Sequence, residues 1–543
     1  MFILCCLIAG ILSPVVNSCA RQKGAEGKPN IIIILADDMG YSDLGCYGSE
    51  IQTPNLDRLA GEGLRMTHFY NAGRCCPTRA SLLTGLYQHQ AGVGHMVNDE
   101  GIPAYQGYLN RECLTLAEAL KINGYNTYMS GKWHVGTSES CWPRQRGFDR
   151  YFGLITGASN YFNLNPYRVN QAPSTMALDD ELYYPPDSGF YMTNAFTDYA
   201  LEFLEEEKGK PGPFFLYLAY TAPHWPLHAL PEDINRYRGT YLAGWDSLRE
   251  ARYRKLIQLG LISDKWPLSP RFGIVPAWND ITDEERDMWG LRMSVYAAMI
   301  DRMDQNIGRV LQKLEEIDEQ DHTIILFLAD NGGCHERIKN TGNYVRTTGV
   351  TGNPDSFDSY EYHWANVSNT PFRLFKHWVH EGGIASPFIA WYPGHIMPGR
   401  VDDRLAHIID IMPTLVELAD GTYPETWKDN RIKPMMGTSL VPVFRNEKTS
   451  CERILLWEHE GNRAVRYGDW KLVSRYDAYY PEGFTPWELY NITEDRTELN
   501  DLSNTLPEKT SEMINLYNEI AAKAEVTPWN EVLRLRDSLK VVK

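Results

Sequence analysis

Four short stretches of the chain place charged or hydrogen-bonding side chains directly after apolar runs: Asp37-Asp38, Lys132-Trp133-His134, His224 and Asp330-Asn331. Asp37, Asp38, Asp330 and Asn331 make an all-oxygen set of carboxylates and one amide. Such a set suits a hard divalent cation rather than zinc, and calcium is the ion it points to. A bare Asp-Asp pair after a strand is by itself more often a cap or a turn than a metal site. His134 and His224 carry imidazoles, the side chains suited to proton transfer near neutral pH. Cys75 stands two residues before Pro77, a pattern that alone marks an ordinary helix start.

The elements that must position these groups follow from hydrophobic patterning. Apolar runs rich in β-branched or aromatic residues at 31–35, 127–129, 214–220 and 324–328 read as buried strands, each ending at one of the groups above. Helical patterns fall between them at 56–63, 116–124, 195–206 and 293–314. The alternation implies an α/β fold with a large, mostly parallel central sheet flanked by helices. Ligands bind beyond the carboxyl ends of such strands, so the terminal groups should meet along one edge. After residue 440 the texture changes to short alternating segments at 454–457, 463–466 and 470–473, an antiparallel meander that an amphipathic helix at 511–524 can cover. We expect a catalytic α/β domain at 28–440 and a smaller C-terminal α+β subdomain at 441–543. Residues 237–289, with many Trp, Arg and Pro, read as an insertion that shapes substrate access.

The segment Cys75-Cys76-Pro77-Thr78-Arg79-Ala80-Ser81-Leu82-Leu83-Thr84-Gly85 resembles the signature of the type I, formylglycine-dependent sulfatases, which belong to the alkaline phosphatase superfamily. Thr78 stands where Ser is commoner. The resemblance is to bacterial arylsulfatase-like members; it runs as ordered motifs from Asn30 to about residue 440 and loosens beyond. It implies a maturase that reads Cys-x-Pro-x-Arg on the unfolded chain and oxidises Cys75 to 3-oxoalanine (formylglycine). The chemistry has a reason. A thiol attacking a sulfate ester would leave a stable thiosulfate linkage, whereas an aldehyde hydrate offers two hydroxyls on one carbon. One can attack sulfur and release the alcohol, and the other can expel sulfate by reforming the carbonyl.

The same resemblance implies roles for individual residues. Asp37, Asp38, Asp330 and Asn331, with residue 75 itself, would hold Ca2+, and Arg79 would support the hydroxylated carbon. Gly131-Lys132-Trp133-His134 matches a Gly-Lys-x-His element in which Lys132 binds sulfate and formylglycine and His134 is the base that releases sulfate. Ala222-Pro223-His224 matches the element whose His donates a proton to the leaving alcohol. Lys376 precedes Glu381-Gly382-Gly383 and matches a Lys on the sulfate and leaving-group side, with Arg373 and His377 as rivals for the place. Ser159 or Asn160 stands where the family has a variable hydrogen-bonding position.

For the substrate, Trp133, Trp225, His228, His335, Trp364 and the 237–289 segment offer aromatic and polar surface for a sugar ring. A sulfated saccharide is therefore expected rather than a free aryl sulfate. Two rival readings stand beside it. One is a phosphonate or phosphodiester hydrolase of the same superfamily, separable by comparing turnover of a sulfate ester and a phosphodiester. The other is a non-catalytic glycan-binding relative in which Cys75 stays a thiol.

With 543 residues, 43% of them hydrophobic, the chain can bury a large core. A net charge of -17 argues against a surface that gathers nucleic acid by counterion release. Residues 2–16 form an apolar run of signal-peptide length, too short to span a bilayer. Val16-Asn17-Ser18-Cys19 resembles a bacterial lipobox, so we expect residues 1–19 to direct export, with a lipid anchor at Cys19 and a periplasmic or outer-membrane site in a Gram-negative cell. Cys46, Cys113, Cys141, Cys334 and Cys451 could include one or two disulfides in that compartment, with pairing left open.

Overall fold

The computed structural model describes residues 27–166, 169–338, 349–448, 452–480 and 483–542; the leader at 2–16, Cys19 and Cys451 lie outside the described residues. At its centre runs β1 (Asn30–Ala36), buried at every position, which explains its unbroken apolar sequence. The other strands of its sheet are β2 (Leu64–Tyr70), β3 (Asn126–Gly131), β4 (Arg150–Leu154), β5 (Met176–Leu178), β6 (Glu181–Tyr183), β7 (Phe214–Ala219), β8 (Thr323–Ala329), β9 (Ala385–Trp391), β10 (Arg400–Asp402) and β11 (Ala406–His407). They lie in the order β10-β2-β9-β8-β1-β7-β3-β4-β5-β6, with β11 beside β2. The four strands expected from the sequence are consecutive neighbours, β8-β1-β7-β3, and all pair in parallel. Their carboxyl ends therefore open on one edge.

Side chains alternate along β1 into two cores. Ile32 and Ile34 join the helices Met192–Glu207 and Asp283–Glu316, whereas Ile31, Ile33 and Leu35 face the helices Cys75–Thr84, Leu116–Ile122 and Ile411–Leu418. The long helix starts ten residues before the expected 293 because Thr282 and Glu285 close a reciprocal capping box. Strand β9 carries Pro387, a residue that normally disqualifies an interior strand. It is tolerated because β2 bulges between Met66 and Phe69, opposite that position.

Two departures from expectation concern the middle of the chain and the cysteines. Residues 237–289 do not wall a substrate cleft: Trp245, Trp278 and Trp289 are buried and pack edge-on with one another and with Trp364. That aromatic cluster is core, so its Trp content reports packing. Among the described residues no disulfide forms. Cys46, Cys113 and Cys334 are buried free thiols and Cys141 is a half-buried one, each in its own surroundings. Also among the described residues, no helix is long and apolar enough to cross a membrane.

A two-stranded ribbon of β12 (Thr426–Trp427) and β13 (Asn430–Arg431) leads toward the C-terminal part, where β14 (Ile454–His459), β15 (Asn462–Tyr467), β16 (Trp470–Ser474) and β17 (Glu488–Asn491) form an antiparallel sheet. The helix Pro507–Lys523 packs on β14, β15 and β16 as its amphipathic pattern requires, and a further helix, Trp529–Val542, follows. A buried ion cluster ties this sheet to the larger half: Lys471 Nζ donates to Glu381 at 2.9 Å and lies 2.8 Å from Glu498, and Arg496 reaches Glu381 at 2.8 Å.

Candidate active site

The parallel strands deliver their terminal residues to one place. Asp37 and Asp38 follow β1, Asp330 and Asn331 follow β8, Lys132 and His134 follow β3, and His224 lies beyond β7. Asp38 takes a left-handed backbone, φ 67°, that turns the chain off the strand, and its N–H donates to Asp330 Oδ1 at 3.2 Å. The helix Cys75–Thr84 points its first residue at this edge, with Arg74 extended before it. Arg79, one turn further, is fully buried and donates to Lys132 O at 2.9 Å and to Asp330 Oδ2 at 2.8 Å, with Asp37 Oδ2 at 3.5 Å. One guanidinium thus braces three strand ends.

The charges are paired across the edge. Lys132 Nζ lies 2.5 Å from Asp37 Oδ2, and Lys376 Nζ lies 2.7 Å from Asp38 Oδ1. Asn331 Nδ2 donates to Asp38 Oδ1 at 2.7 Å. Two acceptors remain: Asp37 Oδ1 and Asn331 Oδ1 are buried without a hydrogen-bond partner. Burial raises the Asp37 carboxyl, but Lys132, His224 and Arg79 outweigh it and bring it down to about 2. Burial, and then the neighbouring Asp37 charge, push Asp330 well above the usual carboxylate range. Crowded carboxylates with unpaired oxygens in a dry site are what a hard cation relieves. The donor set of Asp37, Asp38, Asp330 and Asn331 therefore fits such an ion. His224 also brings a ring nitrogen within 4.8 Å of carboxylate oxygens of Asp37 and Asp38.

Around residue 75 the environment favours an anion. The hydrogen bond from Cys76 leads, and Lys132, His134 and Lys376 add to it, so the Cys75 thiol falls well below its ordinary value against the penalty of burial. Cys76, by contrast, is driven up by burial. Cys76 Sγ lies 3.3 Å from His134 Nε2. Burial keeps His134 neutral, with its value lowered to about 4. A Cβ at Gly157 would stand 2.3 Å from the His134 ring, so a glycine is needed where that loop crosses the imidazole. His224 Nδ1 faces Trp225 O at 2.6 Å. A carbonyl only accepts, so Nδ1 carries the hydrogen and Nε2, 3.4 Å from Asp38 Oδ2, is the nitrogen left to exchange a proton.

A cleft of about 640 Å³ opens onto this edge, with Cys75, His134, His224, Trp225 and Lys376 in its wall. Arg79 and Lys132 lie one layer beneath. Two residues assigned to substrate lie elsewhere. His228 is fully buried, with Nε2 against Ser356 O at 2.8 Å and Nδ1 accepting from Tyr161 N at 3.4 Å, so it has no nitrogen for a sugar. Ser159 is buried with its hydroxyl turned to Asn163 O, and its neighbour Asn160 donates to Pro354 O. Trp133 and Trp364 are likewise core, their indole N–H groups held by Cys141 O and Trp289 O. His335 does reach the cleft.

The cleft also contains residues that pattern reading passed over. Arg74 and Glu336 form an ion pair at 2.9 Å, and Glu336 accepts from Trp225 Nε1 at 2.8 Å. Their positions carried a signal: Arg74 directly precedes Cys75, and Glu336 follows closely on Asp330-Asn331. Gln171 and the stretch Met96–Asn98 complete the wall, from loops with no periodic pattern to mark them.

Against known proteins, the sulfatase family model matches residues 29–422, and the model described as N-sulphoglucosamine sulphohydrolase, C-terminal, matches 372–525. An uncharacterized sulfatase of Schizosaccharomyces pombe is 37% identical over 92% of this chain and 94% of its own length. The arylsulfatase of Klebsiella aerogenes is 36% identical over 77% of this chain and 92% of its own. Among solved structures, Ps i-CgsB in complex with k-i-k-neocarrahexaose aligns with a TM-score of 0.67 and 25% identity over 94% of this chain and 98% of that one. With a matching catalytic core and these relatives, the chain belongs to the sulfatase family and is a sulfuric ester hydrolase.

Proposed function

We propose that this hydrolase removes sulfate from a sulfated saccharide, using an aldehyde made from Cys75 by a maturase and a Ca2+ ion held by Asp37, Asp38, Asp330 and Asn331. The observation that carries the reading is the convergence of the Cys75 helix start with buried, partly unpaired carboxylate and amide oxygens at one sheet edge. An aldehyde hydrate at position 75 supplies two hydroxyls on one carbon, one to attack sulfur and one to release sulfate. A cation held by Asp37, Asp38, Asp330 and Asn331 would supply positive charge to stabilise the anion that develops at sulfur.

The chain's own residues do the rest. Arg79 fixes the Lys132 carbonyl and Asp330, so the strand ends keep their spacing during turnover. Lys376 and Lys132 bring ammonium charge to the sulfate in a site shielded from water. His134, neutral beside residue 75, accepts the proton when sulfate leaves. His224, with Nδ1–H engaged by the Trp225 carbonyl, protonates the departing alcohol oxygen from Nε2 in its imidazolium form, which burial disfavours and Asp38, 3.4 Å from Nε2, favours. For the saccharide, Trp225 and Tyr362 give aromatic surface and Arg74, Glu336 and Gln171 give polar groups in the cleft wall. A relative of the same fold holding a carbohydrate hexaose supports a glycan. We further propose export through residues 1–19 with lipid on Cys19, which metabolic labelling of the native host with a fatty-acid analogue tests.

The test is a substrate screen on matured enzyme. Sulfated monosaccharides and short sulfated glycans should turn over with the highest kcat/KM. Turnover of aryl sulfates alone would remove the glycan assignment, and faster turnover of a phosphodiester would favour the phosphonate and diester hydrolase reading.

A further inference from the structure

A second cluster of metal-binding side chains lies beside the catalytic cleft, on the far side of Arg74 from Cys75, and none of its members is given a role in the chemistry above. His95 sits on the loop that follows helix Cys75–Thr84, while His459 ends β14 and Glu460 begins the turn into β15. One nitrogen from each imidazole and one Glu460 oxygen lie within 4.8 Å of one another. Glu460 Oε1 is 3.0 Å from His95 Nδ1 and 3.7 Å from His459 Nε2. His459 is fully buried, and neither of its ring nitrogens has a hydrogen-bond partner. An unmet polar group of that kind costs about 1–3 kcal/mol unless something satisfies it.

Outer contacts orient the cluster. His95 Nε2 lies 4.0 Å from Glu100 Oε1, beyond hydrogen-bond distance. His377 lies on the second oxygen of Glu460: its Nδ1 is 3.0 Å from Oε2, and its Nε2 faces Asn462 Nδ2 at 3.1 Å. The amide donates, so Nε2 accepts and Nδ1 carries the hydrogen that holds the carboxylate. Carboxylates behind ligating imidazoles and donors behind ligating carboxylates are the usual outer partners of protein metal sites.

We propose that His95, His459 and Glu460 bind a transition-metal ion of the Zn2+ type, with His377 positioning Glu460, and that this ion pins the C-terminal sheet against the catalytic half. Two nitrogens and one carboxylate oxygen make the three-ligand set of an open tetrahedral site, and the nitrogens select against calcium. The ligands come from segments more than 300 residues apart in the chain, so the ion would stabilise the fold that brings them together. The site is also next to substrate: Met96, Val97 and Asn98, directly after His95, line the catalytic cleft. Occupancy would hold that wall in place and act on KM more than on kcat.

The test uses the full chain, stripped with a chelator, saturated with Ca2+ and then titrated with Zn2+ by calorimetry, with bound metal counted by elemental analysis. One equivalent of zinc should bind despite excess calcium and raise Tm, and Co2+ in its place should show visible d–d bands. His95→Gln, at a partly exposed position, and Glu460→Gln should each weaken zinc binding at least about tenfold. Asp330→Asn and Cys76→Ala should keep the equivalent. No calcium-resistant zinc, or zinc that survives both His95→Gln and Glu460→Gln, overturns the proposal. So does zinc lost in Asp330→Asn or Cys76→Ala, because the ion would then sit at the catalytic edge.

Discussion

Among the described residues, one buried group of charge lies at the carboxyl edge of the large sheet and another at the seam with the C-terminal sheet. At the seam, Lys471 bridges Glu381 and Glu498, and Arg496 pairs with Glu381 while lying 4.6 Å from the Phe372 ring centre. The seam is closed: acids meet bases, and the guanidinium nitrogens left without acceptors rest on aromatic faces. At the edge, acids also meet bases, yet Asp37 Oδ1 and Asn331 Oδ1 stay unpaired and a cleft opens beside them. The difference separates a structural use of buried charge from a catalytic one. The seam's unpartnered atoms are donors covered by aromatic rings, whereas the catalytic edge keeps unpaired acceptors beside a cleft, which leaves capacity for a cation and an anionic substrate.

Substitutions can break or sharpen that contrast. The largest effect is expected for Cys75→Ala, which should lower kcat by more than about 10⁴-fold while circular dichroism and Tm stay close to wild type. A residual rate near wild type would mean the edge does not use residue 75 as nucleophile. Next comes Glu381→Ala at the seam, which leaves Lys471 and Arg496 with one acid fewer. It should cost about 3–5 kcal/mol in urea unfolding with kcat nearly unchanged. If activity fell and stability did not, the seam would be functional and the contrast false.

Third is Asp330→Asn, expected to lower kcat/KM by about 10²–10³-fold and to weaken calcium binding measured by calorimetry. Chelation of the wild type should lower activity likewise, and calcium should restore it. The smallest effect concerns pH. His407, buried beside Arg453 near Trp457, is held well below its ordinary value, chiefly by burial. Its folded value is depressed, so its contribution is complete above the unfolded value and is lost as pH falls through it. Unfolding free energy should drop by up to about 2 kcal/mol between pH 6.5 and 5 from this residue. His407→Asn should flatten that part of the slope, and an unchanged slope would show that His407 stays neutral without cost.

The central strands were legible because burial on both faces forces continuous apolar runs, and each run stops where a charged group begins. The edge residues were legible for the same reason, since strand ends place them. What escaped reading is instructive. Strand β9 hides behind Pro387, acceptable only because a bulge in a strand more than 300 residues earlier makes room. Residues 237–289 looked like a substrate insertion because Trp suits both sugar binding and core packing, and composition does not tell the two apart. His228 failed similarly: its place beside His224 in the chain says nothing of the backbone groups that occupy both its nitrogens. Arg74, Glu336 and the 96–98 wall come from loops, whose position is set by contacts distant in sequence.

The account's central claim is chemical and concerns one atom of residue 75. Enzyme of measured specific activity should be digested and the peptide spanning Cys75 to Arg79 weighed. The aldehyde form should make up a fraction that rises in proportion to activity across preparations with more or less maturase. A fully active preparation whose peptide carries only the thiol would contradict the account.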